Sequence, residues 1–310
     1  MRRLRIGVIL FQAGEPETLD AVGAYLRNRH AQAGGARSLL AGVAARIEAK
    51  RVREQYRLIG GASPLVGITA LQQRALETRL RREIDARVFV AMLYRGPPSE
   101  QAAREAREAG CDKLLLLPLY PFDCSTTTGR SFADWRATCE LLGWEPACEI
   151  IRSYHDHALY LDAAADQINR ALSRFQAEQD AHLVYCSGNV SALPVAESEA
   201  YSLQIEASVR SLTARAGWPN PMSICSPGGI GLEETLDQLG REGASEALLV
   251  PITTLADCCE TLHDLQVVAR ERAVQAGVGR IETVPGLNDS ASLIEALARL
   301  SFEALAGSAV

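Results

Sequence analysis

Three residues toward the end of the chain could carry proton or metal chemistry together. Glu260, His263 and Asp264 lie three and four positions apart. On a helix that spacing puts side chains on one face. Two carboxylates and an imidazole so placed can hold a divalent cation or relay protons, and the same pattern also describes a solvated face. A second group runs Pro118-Leu119-Tyr120-Pro121-Phe122-Asp123-Cys124-Ser125-Thr126-Thr127-Thr128-Gly129, joining aromatic rings to a run of hydroxyls. It suits a flat apolar ligand with a polar rim, although hydroxyls also cap helices. Gly60-Gly61-Ala62-Ser63-Pro64-Leu65 makes a turn tight enough to bring backbone near a ligand, or simply to enter a helix. Met92-Leu93-Tyr94-Arg95-Gly96-Pro97-Pro98 is a further loop of this kind. The turn at 12–18 lacks the full GxGxxG pattern, so a nicotinamide or flavin site has weak support. The eight cysteines form no CxxC pair and no zinc-type cluster, so most read as small buried hydrophobes.

The elements that must position these groups alternate along the chain. Short apolar runs stand at Ile6–Phe11, Val88–Leu93, Leu114–Leu119, Leu183–Cys186, Met222–Cys225, Ala247–Ile252 and Ile281–Val284. Each is bounded by Gly, Pro or charge and reads as a strand buried on both faces. Segments such as 100–109 and 232–242 between them have helical period. Such alternation predicts βαβ units and parallel sheets. The chain also repeats itself. Gly110 to Pro118 matches Gly243 to Pro251 at an offset of 133, and an Asp-Cys pair follows each proline (Asp123-Cys124, Asp257-Cys258). The strands at 88–93 and 221–226 are expected to share that offset. The expected architecture is α/β, with two similar doubly wound, Rossmann-like halves (1–155 and 156–310) and a cleft between them. Ligands of such folds gather at the carboxyl ends of the strands.

Composition limits the rest. The chain has 310 residues and a formal charge of −6, with a pI of about 5.5. That balance argues against general nucleic-acid binding, which needs clustered basic charge. Arg79-Leu80-Arg81-Arg82 reads first as one solvated helix face. No run approaches the roughly 18–20 apolar residues that span a bilayer. Met1 to Phe11 reads as a first strand rather than a signal peptide, because Gly14-Glu15-Pro16-Glu17 stands where a cleavage site should be. A cytoplasmic location with reduced cysteines is expected. Peripheral membrane contact and oligomeric state stay open.

In this order, the loops resemble the ferrochelatase family, which inserts Fe(II) into a porphyrin to make haem. The resemblance rests on Gly14-Glu15-Pro16, Tyr56 with Ile59-Gly60-Gly61-Ala62-Ser63-Pro64-Leu65, Met92-Leu93-Tyr94, and Pro118-Leu119-Tyr120-Pro121 with Thr126-Thr127-Thr128-Gly129. It continues through Tyr154-His155-Asp156-His157, Asp257-Cys258-Cys259-Glu260-Thr261-Leu262 and Val284-Pro285-Gly286-Leu287-Asn288. It implies a porphyrin or haem and a divalent metal as substrates or ligands. Ser63, Tyr94, Tyr120, Phe122, Ser125, Thr126 and Thr127 would contact the porphyrin. Glu260 and Asp264 would meet the metal, with Glu260, His263 and Asp264 as the catalytic groups. His155 and His157 fall outside the family's catalytic core and read as structural. No iron–sulfur cluster is expected, since no cysteine follows Cys259.

The departures lie mainly in the second half. The family's His-Gly-Leu-Pro-like motif carries its central catalytic histidine; here that place reads Tyr185-Cys186-Ser187-Gly188-Asn189-Val190-Ser191-Ala192-Leu193-Pro194. The family's Gly-Asp-Pro-Tyr is Ser198-Glu199-Ala200-Tyr201, a tryptophan-containing segment is shortened to Pro227–Gly231, and Leu93 occupies the arginine position of an Arg-Tyr pair. The resemblance therefore implies a metal chelatase of reduced activity. The alternatives are a porphyrin- or haem-binding paralogue acting as carrier or sensor, and an enzyme with a repurposed cleft.

Overall fold

A computed structural model describes residues 4–32, 41–175, 180–188, 193–225 and 231–307. Asn189 to Ala192, within the divergent motif, and Ser226 to Ile230, within the shortened loop, lie outside the described residues. Two four-stranded sheets carry the fold. The first contains β1 (Arg5–Gln12), β2 (Asp85–Met92), β3 (Lys113–Pro118) and β4 (Cys148–Ile150), in the order β2-β1-β3-β4. The second contains β5 (His182–Cys186), β6 (Met222–Cys225), β7 (Glu246–Pro251) and β8 (Arg280–Thr283), in the order β6-β5-β7-β8. Every pairing is parallel.

The expected α/β fold with two similar parallel sheets is the one observed, and each apolar run named above forms a strand. β1, β3 and β7 are buried at every residue after the first, as strands covered on both faces must be. β4 escaped the sequence pattern. It is the three-residue edge strand Cys148-Glu149-Ile150, too short and too polar to stand out.

Register makes the repeat concrete. Phe11 lies beside Pro118 as Cys186 lies beside Pro251, and Leu114 beside Cys148 as Ala247 beside Ile281. The offset of 133 therefore holds at β3/β7 and β4/β8. At β2/β6 it does not: Phe11 pairs with Ala91 and Cys186 with Cys225, an offset of 134. The crossover from β6 to β7 is one residue shorter than its counterpart.

The chain forms two compact units, residues 1–120, 127–152 and 294–310, and residues 121–126 and 153–293. Against the expected halves 1–155 and 156–310, neither unit is one continuous stretch. In the first, the helix Ala291–Gly307 meets the helix Leu65–Leu80 through Arg79. Its guanidinium makes two bonds to Glu295, at 2.6 and 2.9 Å, and lies 5.5 Å from the Phe302 ring centre. Over the same sheet, Phe132 and Trp135 of the helix Arg130–Leu141 meet Phe11 edge-on at 5.4 and 5.9 Å. In the second unit, Gln204 holds both backbone groups of Asp123 at 3.0 and 3.1 Å, and Tyr154 N–H donates to Pro121 at 2.9 Å.

At the carboxyl end of the first sheet, the turns after β1 and β2 touch backbone to backbone. Tyr94 N–H donates to Ala13 O at 2.8 Å and Leu93 N–H to Gln12 O at 3.1 Å. Gly14 has φ +75°, and a Cβ there would stand 1.7 Å from Arg95 O. Gly143 also has positive φ, +56°, but nothing lies within 4 Å of its missing Cβ. Gly14→Ala should therefore cost at least about 3 kcal/mol and Gly143→Ala about 1 kcal/mol. Urea unfolding of the two variants measures this, and equal losses would show that the turns do not approach as described.

Candidate functional site

The strand ends of the second unit bring a small polar group together. Beyond β5, Ser187 is fixed by two bonds to Cys225 O, from its N–H at 3.0 Å and its hydroxyl at 2.8 Å. Gly188 follows, and its N–H donates to Thr253 Oγ1 at 2.8 Å, two residues past the end of β7. Glu260 opens the π-wound segment Glu260–Val268. A Cβ on Gly188 would stand 3.2 and 3.3 Å from the two Glu260 carboxylate oxygens and 3.3 Å from Thr253 Oγ1. The half-buried carboxylate thus lies against a bare Cα.

Tyr201 approaches from the helix Val195–Ala216, with its ring 5% exposed and its hydroxyl bonded to the Thr253 side chain. Phe122 meets it edge-on at 5.9 Å and stacks on His155 at 5.8 Å. Phe122 itself is 1% exposed, so it supports this surface from within. His155 Nδ1 lies 2.7 Å from Ser153 Oγ. Exposed Ser125 donates from both its N–H and its hydroxyl to Glu197, and Cys124 Sγ lies 3.3 Å from Thr126 Oγ1.

Burial and charge keep the neighbours of Glu260 protonated. Burial raises the Tyr201 phenol well above its ordinary range; the charges of Cys124 and Glu260 add to this, and the Thr253 hydrogen bond opposes it. Burial, then the Cys225 and Glu260 charges, do the same to the Cys186 thiol. Tyr201 is therefore available as a hydrogen-bond donor and unsuited as a base.

The winding of 260–268 changes the expected arrangement of the three acid–base residues. Ala269 N–H bonds Asp264 O, five residues back. This wider turn rotates successive side chains away from the face that α spacing predicts. Glu260 stays at Gly188. The His263 side chain turns inward, 9% exposed, while that of Asp264 is 55% exposed, and the two meet at 2.6 Å between Nδ1 and Oδ1. Among the described residues, no group of three or more His, Cys, Asp or Glu side chains is gathered to hold a metal ion. Asp257 has a structural task, accepting from Gly286 N–H at 2.9 Å and Asn288 Nδ2 at 2.8 Å. His182 opens β5, at the end away from Gly188, with a ring nitrogen 2.9 Å from Ser223 Oγ.

The first unit holds the other expected residues. Ser63 is 5% exposed; its hydroxyl donates to Glu15 at 2.5 Å and accepts from Leu65 N–H at 3.2 Å. It ties the turn after β1 to the turn before the helix Leu65–Leu80. Half-buried Tyr94 packs edge-on against Tyr25 at 6.1 Å, and its hydroxyl accepts from Arg130 at 3.0 Å. Tyr120 follows β3 and is half-buried, as are Thr126 of the second unit and Thr127. Ser125–Gly129 is also π-wound, in the position matching the start of 260–268. Sequence spacing alone does not single out Thr253, Tyr201, Glu197 or Arg130. Their one sequence signal is a place just beyond a strand end or early in the following helix.

The chain matches the family model described as "Ferrochelatase" over residues 5–305. It is 33% identical to the ferrochelatase of Synechocystis sp. (strain ATCC 27184 / PCC 6803 / Kazusa), an alignment covering 97% of this chain and 83% of that one. Identity to the ferrochelatase of Synechococcus sp. (strain RCC307) is 32%, over 98% and 83%. The fold is similar to that of SirB from Bacillus subtilis with Fe3+, at a TM-score of 0.59 and 10% identity, covering 98% of this chain and 97% of that one. It is also similar to DR2241 from Deinococcus radiodurans, a multi-domain protein with structural similarity to chelatases. There the TM-score is 0.52 and the identity 14%, over 96% and 54%.

Thr253 is the hub of the polar group, accepting from Gly188 and bonding Tyr201. Thr253→Val leaves both without that partner and should lower stability by about 1–3 kcal/mol, while Thr253→Ser keeps most of it. Urea unfolding separates the two, and a neutral Thr253→Val would remove Thr253 from this role.

Proposed function

Because the chain belongs to the ferrochelatase family, we propose that it inserts ferrous iron into a porphyrin to make haem, with Glu260 as the carboxylate of the reacting site. The observation that carries this reading is the Glu260 carboxylate against Gly188, surrounded by the protonated Tyr201 and by Thr253. Insertion brings in a divalent cation and releases two protons from pyrrole nitrogens, so net charge balances. The ion must shed water, the protons need an acceptor, and the flat ring must bend so that its lone pairs meet the metal. A shaped apolar surface supplies the bending from binding energy.

In this reading Glu260 receives the ion or a pyrrole proton, and Tyr201 donates a hydrogen bond without leaving its protonated state. Exposed Asp264 offers the ion a carboxylate on the solvent side, and the His263–Asp264 pair can carry protons away. In the first unit Ser63, Tyr94, Tyr120 and Thr127, and in the second Ser125 and Thr126 with Phe122 behind them, are the residues offered to the porphyrin. Iron and porphyrin are substrates here, and no prosthetic group is assigned. All eight cysteines are free, and no helix among the described residues is long and apolar enough to cross a membrane. Both fit a cytoplasmic location.

The missing base belongs to the same proposal. We assign its place to Gly188, because a side chain there would point at the Glu260 carboxylate. A positioned base contributes about 10²–10⁴-fold, so turnover should be slow while porphyrin affinity persists. The same bare Cα favours the second reading, a protein that binds porphyrin or haem without metallating it.

Anaerobic mixing with a porphyrin and Fe(II) or Zn(II), followed by the porphyrin absorption bands, tests these readings. Slow metallation that Glu260→Gln abolishes, with binding retained, is the expected result. A band shift without metallation would give the second reading. No binding at all would overturn both and leave an enzyme of another kind.

A further inference from the structure

The first sheet ends in two edges of opposite kind. On β2 the outward backbone is taken: Val88 O accepts from Gln73 at 2.8 Å and Val88 N–H donates to Glu77 at 2.9 Å. Both side chains come from the helix Leu65–Leu80, which closes this edge at its middle. On β4 the outward backbone is open. Leu114 N–H donates to Ala147 O at 2.8 Å, and Ile151 N–H to Leu116 O at 3.0 Å. Residues 147, 149 and 151 therefore face β3, and alternation turns the N–H and C=O of Cys148 and Ile150 away from it. Among the described residues none bonds to them. An open edge of this kind is a template for another strand.

The surroundings of β4 suit apolar contact. A cavity of about 550 Å³ lies beside it, lined in part by Leu116, Phe132, Trp135, Trp144, Cys148 and Ile150. Ile150 itself is 53% exposed. The repeat supplies an internal comparison. In the second unit the matching edge strand, β8, carries Arg280 paired with Glu282 at 3.0 Å, and the cavity beside it includes Arg174, Gln266 and Arg270. Charge blunts that edge, as it does many edge strands. The exposed side chain of β4 is an isoleucine instead. Charge also differs between the two ends of the segment, with Glu145 before β4 and Arg152 after it. Laid antiparallel on a copy of itself, the segment brings each Arg152 toward the other copy's Glu145. A two-fold interface requires such self-complementarity.

We propose that a second copy of this chain pairs with β4, antiparallel and about a two-fold axis, so that the two first sheets join edge to edge. Cys148 of each copy lies opposite Ile150 of the other, and the two exchange both backbone hydrogen bonds. Opposite residues share a face, so each Ile150 rests beside the other copy's Cys148, at the cavity that Cys148 lines. Pro146, which has no N–H to give, falls at the end of the ladder. Glu149 meets its own copy at the centre of the other face, and each carboxylate already holds Lys113 at 2.9 Å, which offsets the repulsion. The inference is independent of the porphyrin reading.

Sedimentation velocity over protein concentrations of about 1–100 µM tests it. The unaltered protein should form dimers within that range and nothing larger, because a two-fold contact closes on itself. Ile150→Lys should stay monomeric throughout. Thr283→Lys, at the matching place in β8, should leave the dimer intact. Glu145→Arg or Arg152→Glu alone should weaken association roughly tenfold, since each alters two symmetric pairs, and the two together should restore it. Urea unfolding of the monomers reports that the variants are folded. A monomer at every concentration, a dimer indifferent to Ile150→Lys, or a double reversal that recovers nothing would overturn the proposal.

Discussion

A parallel strand buried on both faces cannot turn back beside itself. It must cross over through a helix, and every crossover leaves a loop at the carboxyl end of a strand. That constraint organises both units. β1 and β5 occupy the same second position in sheets of the same order, and five strand ends open into loops that carry a candidate residue. Gly14 follows β1, Tyr94 follows β2, Tyr120 follows β3, Gly188 follows β5 and Thr253 follows β7. The strands supply rigidity, and the loops are free to carry chemistry.

Within the second unit, one half-buried carboxylate, that of Glu260, stands in partly dry surroundings beside Gly188. The groups around Glu260 are a phenol and a thiol that burial keeps protonated and a threonine that bridges backbone to phenol. These can donate hydrogen bonds or stay inert, and none competes with Glu260 for protons. The π-wound turn sets this up by separating Glu260 from the His263–Asp264 pair, so a carboxylate at Gly188 and a pair leading to solvent replace a single three-residue face.

Five strands were legible because a strand covered on both faces needs an unbroken apolar run; β6 and β8, partly buried edge strands, showed only short mixed runs. β4 was not, since an edge strand of three residues needs none. The repeat was legible in Gly110–Pro118 and Gly243–Pro251, but the one-residue difference at β6 depends on pairing register. Glu260 could be chosen from its motif. The positions of His263 and Asp264 relative to it could not, because α and π winding share nearly the same sequence preferences and differ by one residue in hydrogen-bond partner. Thr253 with Tyr201, and Arg130 with Tyr94, are pairings made by tertiary folding, and no local spacing encodes them.

The account turns on what Gly188 leaves out. Its backbone is not in the left-handed region, and the flexible Glu260 and Thr253 side chains beside its missing Cβ can shift by a few tenths of an ångström. A histidine can therefore be placed there. The decisive measurement is the rate of metal insertion into porphyrin by Gly188→His across pH 5–9, beside the unaltered protein and Ser191→His. The account predicts at least a tenfold rise for Gly188→His, with a new rate increase as the imidazole loses its proton near its ordinary value of about 6.5. An unchanged rate in Gly188→His together with a rise in Ser191→His would contradict it, and would move the proposed place of the base away from Glu260.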